Sequence, residues 1–174
     1  MIEPDINGKG RKTMAREMRR KRQALDAAAC DEILYKGTNG VLALCGKDGA
    51  PYAVPMSYVY DGENIYFHGA KQGHKLDIIA ENPTVSFCVV NMDQIVPEKF
   101  TTFFKSVIVF GNIQVMTEDE EKLAAIRKLA KKYSPDETEE ATMAEINSQW
   151  KPMCLLKLSP THITGKQAIE LVKG

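Results

Sequence analysis

Tyr52-Ala53-Val54-Pro55-Met56-Ser57-Tyr58-Val59-Tyr60-Asp61-Gly62-Glu63-Asn64-Ile65-Tyr66-Phe67-His68 holds two runs rich in aromatic and β-branched residues, separated by an Asp-Gly turn signal. That pattern reads as two strands joined by a tight turn. Just upstream, Gly40-Val41-Leu42-Ala43-Leu44-Cys45 reads as a buried strand, and Asp48-Gly49 supplies another turn. Three strands with tight connections predict an antiparallel meander. Pro55 is the anomaly, because proline brings no N–H to a ladder and is confined to edges, bulges or strand starts. Either the strand is a plain edge, or its free side faces a ligand.

Downstream, His68 ends the second run, and Gly69-Ala70-Lys71-Gln72-Gly73 leads into a helix entered at His74-Lys75. The exposed N–H groups of a helix start, with a lysine and an imidazole beside them, can cradle a phosphate. Lysines at helix starts are also common solvated residues, so this motif alone leaves both readings open. The helix should run from His74 to Glu81 and stop at Asn82-Pro83, and residues 84–90 read as a central strand. Polar residues from Asn91 to Thr102, interrupted by Pro97, read as a functional loop.

A long strand over 103–116 is expected to bend at Gly111. Thr117-Glu118-Asp119-Glu120 and Ser134-Pro135-Asp136-Glu137 read as capping boxes opening helices to Lys132 and Trp150. Met153 to Leu158 reads as the closing strand, followed by helical spacing after Gly165. Near the N-terminus, Asp26 should cap a helix over 27–36 that Gly37 ends. The sum is a mainly β fold with peripheral helices, a small six-stranded antiparallel β-barrel.

At 174 residues the chain is expected to form one domain over 16–171, preceded by an unordered extension over 1–15 in which Met14 could serve as an alternative start. Composition is that of a soluble globular protein, with 44% hydrophobic and 26% charged residues and no run approaching the roughly 20 apolar residues of a membrane helix. Cys30, Cys45, Cys88 and Cys154 lie far apart, with neither C-x-x-C spacing nor a secretory signal ahead of them. This favours buried thiols in a reducing, cytoplasmic setting. Formal charge is zero, yet residues 1–22 carry eight basic and three acidic side chains. The basic run lacks interleaved aromatics and continues into Gln23-Ala24-Leu25, which argues for a solvated or subunit-bridging face over a nucleic-acid arm.

There is no G-x-S-x-G, H-E-x-x-H, Walker or G-x-G-x-x-G motif, and the three histidines at 68, 74 and 162 have no metal-binding spacing. A chain so poor in catalytic groups is expected to borrow its chemistry from a cofactor. Residues 16–23, Pro51 to Tyr60, Ile65 to Lys75, Phe100-Thr101-Thr102 with residues 106–111, and 164–171 together resemble the pyridoxamine 5'-phosphate oxidase-like split barrels. Within that superfamily the chain is similar to the 5-nitroimidazole-resistance (Nim) family. The resemblance implies a homodimer with FMN in the inter-subunit cleft. It places Val54, Pro55, Met56 and Ser57 beside the flavin ring, and His68, Gly69 and Ala70 along the ring and ribityl chain. His74 and Lys75 would grip the phosphate, and Ser106 would reach the flavin across the dimer.

The Nim likeness makes His68 the candidate catalytic residue. It implies reduction of a small nitroaromatic acceptor by flavin electrons drawn from NAD(P)H or another reductant. Two departures argue against pyridoxamine phosphate oxidation: His74 stands where the oxidases carry arginine, and their tryptophan- and arginine-bearing tail has no counterpart. The alternative is a non-catalytic split-barrel dimer that binds or senses flavin or haem.

Overall fold

A computed structural model of the chain describes residues 17–172. The expected extension over 1–15, with Met14, lies outside them. The described part of the basic segment has Arg19, Arg20, Lys21 and Arg22 exposed, and Lys21 pairs with Glu17 at 2.6 Å.

In chain order the elements are β1 (Ala24–Leu25), α1 (Ala27–Lys36), β2 (Asn39–Cys45), β3 (Pro51–Ser57), β4 (Val59–Tyr60), β5 (Ile65–Ala70), α2 (His74–Glu81), β6 (Thr84–Val96), β7 (Thr101–Val115), α3 (Asp119–Tyr133), α4 (Glu139–Gln149) and β8 (Met153–Gln167). The eight strands form one antiparallel sheet in the order β3-β2-β6-β7-β8-β5-β4, with β1 also paired to β8. The mainly β, split-barrel reading holds, but with eight strands in place of six, and no ladder closes the sheet. Its two ends are nonetheless successive in the chain, because only Tyr58 separates β3 from β4.

Tyr58 explains why the expected meander does not form. β2 and β3 do pair, from Asn39↔Ser57 to Cys45↔Pro51, but the next ladder holds only Val59↔Tyr66 and Tyr60↔Ile65. The backbone of Tyr58 leaves the sheet: the Tyr133 hydroxyl accepts from its N–H at 2.8 Å and faces its carbonyl at 2.9 Å. A side chain from α3 thus replaces the ladder at that residue, and β5 takes β8 as its main partner, Ile65↔Leu158 through Ala70↔Met153.

The polar stretch 91–102 is not a loop. β6 continues past a bulge at Asn91 to Val96, a single 3-10 turn over Pro97–Lys99 reverses the chain, and β7 starts at Thr101. The pairs Gln94↔Phe103 to Val96↔Thr101 show that polar residues here belong to a hairpin arm, with Gln94 and Ile95 exposed and Val96 buried, so composition misleads. The closing strand likewise runs on to Gln167 where helical spacing was expected, because β1 and β7 flank it on both sides (Lys166↔Ala24, Lys166↔Ser106). At Gly111, where a bend was expected, β7 runs unbroken beside an irregularity in its ladder with β8. A Cβ there would lie 2.3 Å from the Ser159 carbonyl oxygen, next to the Phe110/Gly111 register shift that leaves Thr161 unpaired.

Asp26 caps α1 as expected, its carboxylate accepting from the Ala29 N–H at 2.8 Å. The two capping boxes do not form. α3 begins after Glu118 with no side-chain cap, and α4 is capped by Thr138, whose hydroxyl accepts from Ala141 N–H at 3.1 Å. The inner core gathers Leu42, Leu44, Tyr58, Phe67, Phe87 and Val109, with Phe87 meeting Tyr58 and Phe67 edge-on at 4.9 and 5.1 Å. A second cluster, including Tyr66, Ile126, Leu129, Ile146 and Leu155, seats α3 and α4 on the opposite face of β5 and β8. Trp150 packs there under the Lys122 ammonium, 4.8 Å from its ring, as a hydrophobic anchor. Cys30 and Cys154 are buried and Cys88 half-buried, but Cys45 is exposed, because it falls on the outward parity of β2.

Candidate functional site

Strand alternation decides which candidate side chains can meet a ligand. On β3 the inward positions are Val54, half-buried, and Met56, buried in the inner core; Pro55 and Ser57 point outward. β3 ends the sheet order, so Pro55 stands on an edge strand and pairs only with Val41. On β5, Phe67 faces the inner core with Ile65, whereas His68 lies on the outer face with Tyr66 and is exposed. Its imidazole makes no side-chain hydrogen bond among the described residues.

Ser57 and His68 come together at the mouth of one cavity of about 550 Å³. Its walls are Leu129 and Tyr133 of α3, Ile146 of α4 and Met153 of β8. The helical wall was not legible in the sequence as part of a site, since α3 and α4 read only as amphipathic cover.

At the end of β5 the small residues make room for a lysine. A Cβ on Gly69 would lie 3.1 Å from Lys75 Nζ, so the ammonium lies directly over the Gly69 backbone. Gly73 precedes α2 with φ 133 and ψ 161, a conformation open essentially to glycine alone. The N-cap carries no side-chain cap, so α2 presents its first N–H groups uncapped by a side chain. Burial pushes the Cys154 thiol up, and the nearby positive charges of Lys75, Lys71 and Lys122 oppose it.

His74 is turned elsewhere. Its ring meets Tyr52 edge-on at 4.8 Å and borders a cleft with Asp48, Asp77 and Glu81. Neighbouring residues on a helix point about 100° apart, so His74 and Lys75 face different surroundings. Ser106 lies on β7, between Val90 of β6 and Lys166 of β8, three strands from β3 and two from β5 in the sheet order.

Ser106 and the β3 residues nevertheless share one surface. Pro55, Val41, Cys88, Ile108 and Thr164 are lateral neighbours across five strands and form one outward row. Ser57 and Ser106 stand two residues along from its members on the same face. Val41 is 42% exposed, Ile108 36% and Val90 62%, so this face is an uncovered apolar strip. Among the described residues no group of three or more His, Cys, Asp or Glu could hold a metal ion, and no helix is long and apolar enough to cross a membrane.

An open antiparallel barrel with a proline-bearing edge, a lysine-covered glycine turn and an uncapped helix start is the split-barrel architecture. The chain belongs to the pyridoxamine 5'-phosphate oxidase family, which it matches over residues 26–167. It is 33% identical over 85 residues to an uncharacterised protein of Rhizobium meliloti (strain 1021), a match covering 49% of this chain; the chain spans about half the length of that curated relative, 51%. Among solved structures it resembles a 5-nitroimidazole antibiotic resistance protein from Bacteroides thetaiotaomicron, at TM-score 0.71, 20% identity, and coverage of 83% of this chain and 86% of that one. It resembles a FAD-binding protein from Mesorhizobium loti at TM-score 0.61, 25% identity, 84% and 97% coverage. A FAD- and haem-binding protein from Mycobacterium smegmatis aligns at TM-score 0.66, 19% identity, 84% and 73% coverage.

Proposed function

We propose that this chain is a flavin-dependent oxidoreductase acting as a homodimer, with FMN in the cleft between subunits and a small nitroaromatic, such as a 5-nitroimidazole, as acceptor. The observation that carries this reading is the Lys75 ammonium over the Gly69 backbone at the start of α2. Cation, close backbone and uncapped helix N–H groups suit a phosphate monoester. His74, which meets Tyr52 edge-on, would face away from that phosphate and leave Lys75 as its side-chain cation.

Pro55 and Ser57 would flank the ring along the β3 edge, where a ligand face makes the missing N–H of Pro55 harmless. Val54 and Met56 would contribute backbone and support from within the core. Gly69 and Ala70 would let the ribityl chain run close to β5. The apolar strip through Val41 and Ile108 would bury against a second copy, carrying Ser106 to the partner's cleft. His68 would meet the acceptor, its imidazole free to supply a hydrogen bond or a proton.

A bound flavin would supply two-electron chemistry: hydride uptake from a reduced nicotinamide and passage of two electrons to the nitro group, which with two protons would give a nitroso group and water. The protein's part is placement and electrostatics. The family membership and the FAD-binding relative at 25% identity support a flavin. A haem-binding or purely flavin-storing dimer is the rival, favoured by the unpartnered imidazole of His68 beside an apolar cavity.

An absorbance spectrum of the purified protein, followed by anaerobic addition of NADPH, tests the proposal. Flavin bands that bleach with the donor and return on adding a nitroimidazole are expected. A Soret band, or flavin that never bleaches, would decide for the rival.

A further inference from the structure

We infer that the cavity between the α3–α4 pair and the outer face of β3 and β5 is the acceptor pocket, and that it takes a ring-sized apolar molecule bearing an amine, amidine or amide nitrogen while rejecting carboxylates and phosphates. This rests on the oxidoreductase reading above and adds the class of molecule the same site selects. At about 550 Å³ the cavity falls within the range of small-molecule sites. Ile126, Leu129, Ile146 and Met153 give it an apolar floor, so a ring gains from leaving water there.

Beside Ser57, Ser134, Thr142, Gln149 and the His68 imidazole, the carboxylates that reach that floor are its only side chains of full negative charge, and no full positive one offsets them. Glu137 and Glu145 line the cavity, and no lysine or arginine does. Neither carboxylate has an ion-pair partner among the described residues. Three cations of α3 are committed elsewhere. Lys128 pairs with Asp61, Arg127 pairs with Glu139, and Lys132 donates to the Gly37 carbonyl at 2.5 Å while lying 4.3 Å from the Tyr58 ring centre. The Tyr133 hydroxyl is likewise engaged with the Tyr58 and Thr38 backbone.

The uncompensated full charges left to face a ligand are therefore two carboxylates, which accept hydrogen bonds and donate none, while Ser57, His68, Ser134, Thr142 and Gln149 can serve a neutral ligand. A nitrogen donor, charged or neutral, meets a partner; an anion meets like charge from both carboxylates. Ser57 and His68 stand at the mouth, so a ring in the cavity would abut the β3 edge assigned to flavin.

Benzamidine, benzamide and benzoate share one ring and nearly one size and differ in charge, which makes them suitable probes. Their binding to the full chain is measured by calorimetry and by saturation-transfer NMR, with flavin absorbance read on the same samples. Benzamidine and benzamide should bind, and benzoate should be about tenfold weaker or worse. Glu137→Gln with Glu145→Gln should bring benzamidine down to the level of benzamide. Ala130→Trp, which fills the cavity, should abolish binding of all three; Ala141→Phe, at an exposed position of α4, provides the same block if the first variant does not fold.

Benzoate binding as tightly as benzamidine, or probe binding that survives both blocking variants, would overturn the inference. Charge selectivity in protein that never takes up flavin would retain the pocket's preference and remove the oxidoreductase reading. Flavin-loaded protein without selectivity would do the reverse.

Discussion

Lys75 and Gly69 are the pair on which the phosphate assignment turns. Lys75→Ala removes a charge-assisted contact of about 1.5 to 3 kcal/mol and should lower flavin occupancy of the purified protein accordingly, as read from flavin absorbance per chain. Gly111→Ala tests the fold at the same scale. Its new Cβ would press on the Ser159 backbone, which has no flexible end to yield, so a loss of about 1 to 3 kcal/mol in urea unfolding is expected. At the level of single residues the sequence was legible where one local rule governs. Asp26 as a cap and Pro55 on an edge each follow from chemistry within a few residues. His74 was not, because its orientation depends on Tyr52, a neighbour 22 positions away that no local rule couples to it. The grip of Tyr133 on the Tyr58 backbone was not legible either, because it depends on where α3 docks.

Elements differ from the sequence reading mainly at their ends, and the reasons are tertiary. The Ser134 and Thr138 hydroxyls are equally good caps on paper, and the chain uses Thr138 because residues 134–138 turn before α4 begins. Thr138→Ala should therefore cost about 1 kcal/mol in thermal or urea unfolding, and Ser134→Ala should leave stability unchanged within error. β6 and β7 outran their expected lengths because each lies beside the other through the arm, a partnership that polar composition hides. β1 is too short to carry any pattern and exists through its pairing with β8. The seat of α3 on the β4–β5 turn has an electrostatic latch. Burial would raise the Asp61 carboxyl, but the Lys128 ammonium and the N–H groups of Asn64 and Glu63 outweigh it and hold the carboxyl below its ordinary value. A depressed folded-state value contributes stability above the unfolded carboxylate's titration, and that contribution is lost as pH falls through the folded one. Unfolding free energy followed from neutral pH into acid should thus decline, and Asp61→Asn should remove part of that slope; an unaltered slope would deny the latch.

On the scale of the molecule, the barrel class was readable from alternating strands and turn signals, whereas strand order was not, since β5 pairs with a strand almost ninety residues later. The apolar row through Pro55, Val41, Cys88 and Ile108 emerges only when those strands lie side by side. If that strip is the face between two copies, Val41→Glu with Ile108→Glu should convert a dimer to a monomer in light scattering and release flavin, while far-ultraviolet circular dichroism stays unchanged. A dimer that persists with its flavin would exclude this face. The central claim, a flavin mononucleotide anchored through its phosphate at Lys75, is tested most directly by fluorescence titration of flavin-stripped protein with FMN and with riboflavin. The account expects FMN to bind at one per chain and about tenfold or more tighter than riboflavin, with the difference vanishing in Lys75→Ala. Equal affinity for the two, or no quenching of FMN at all, would contradict it.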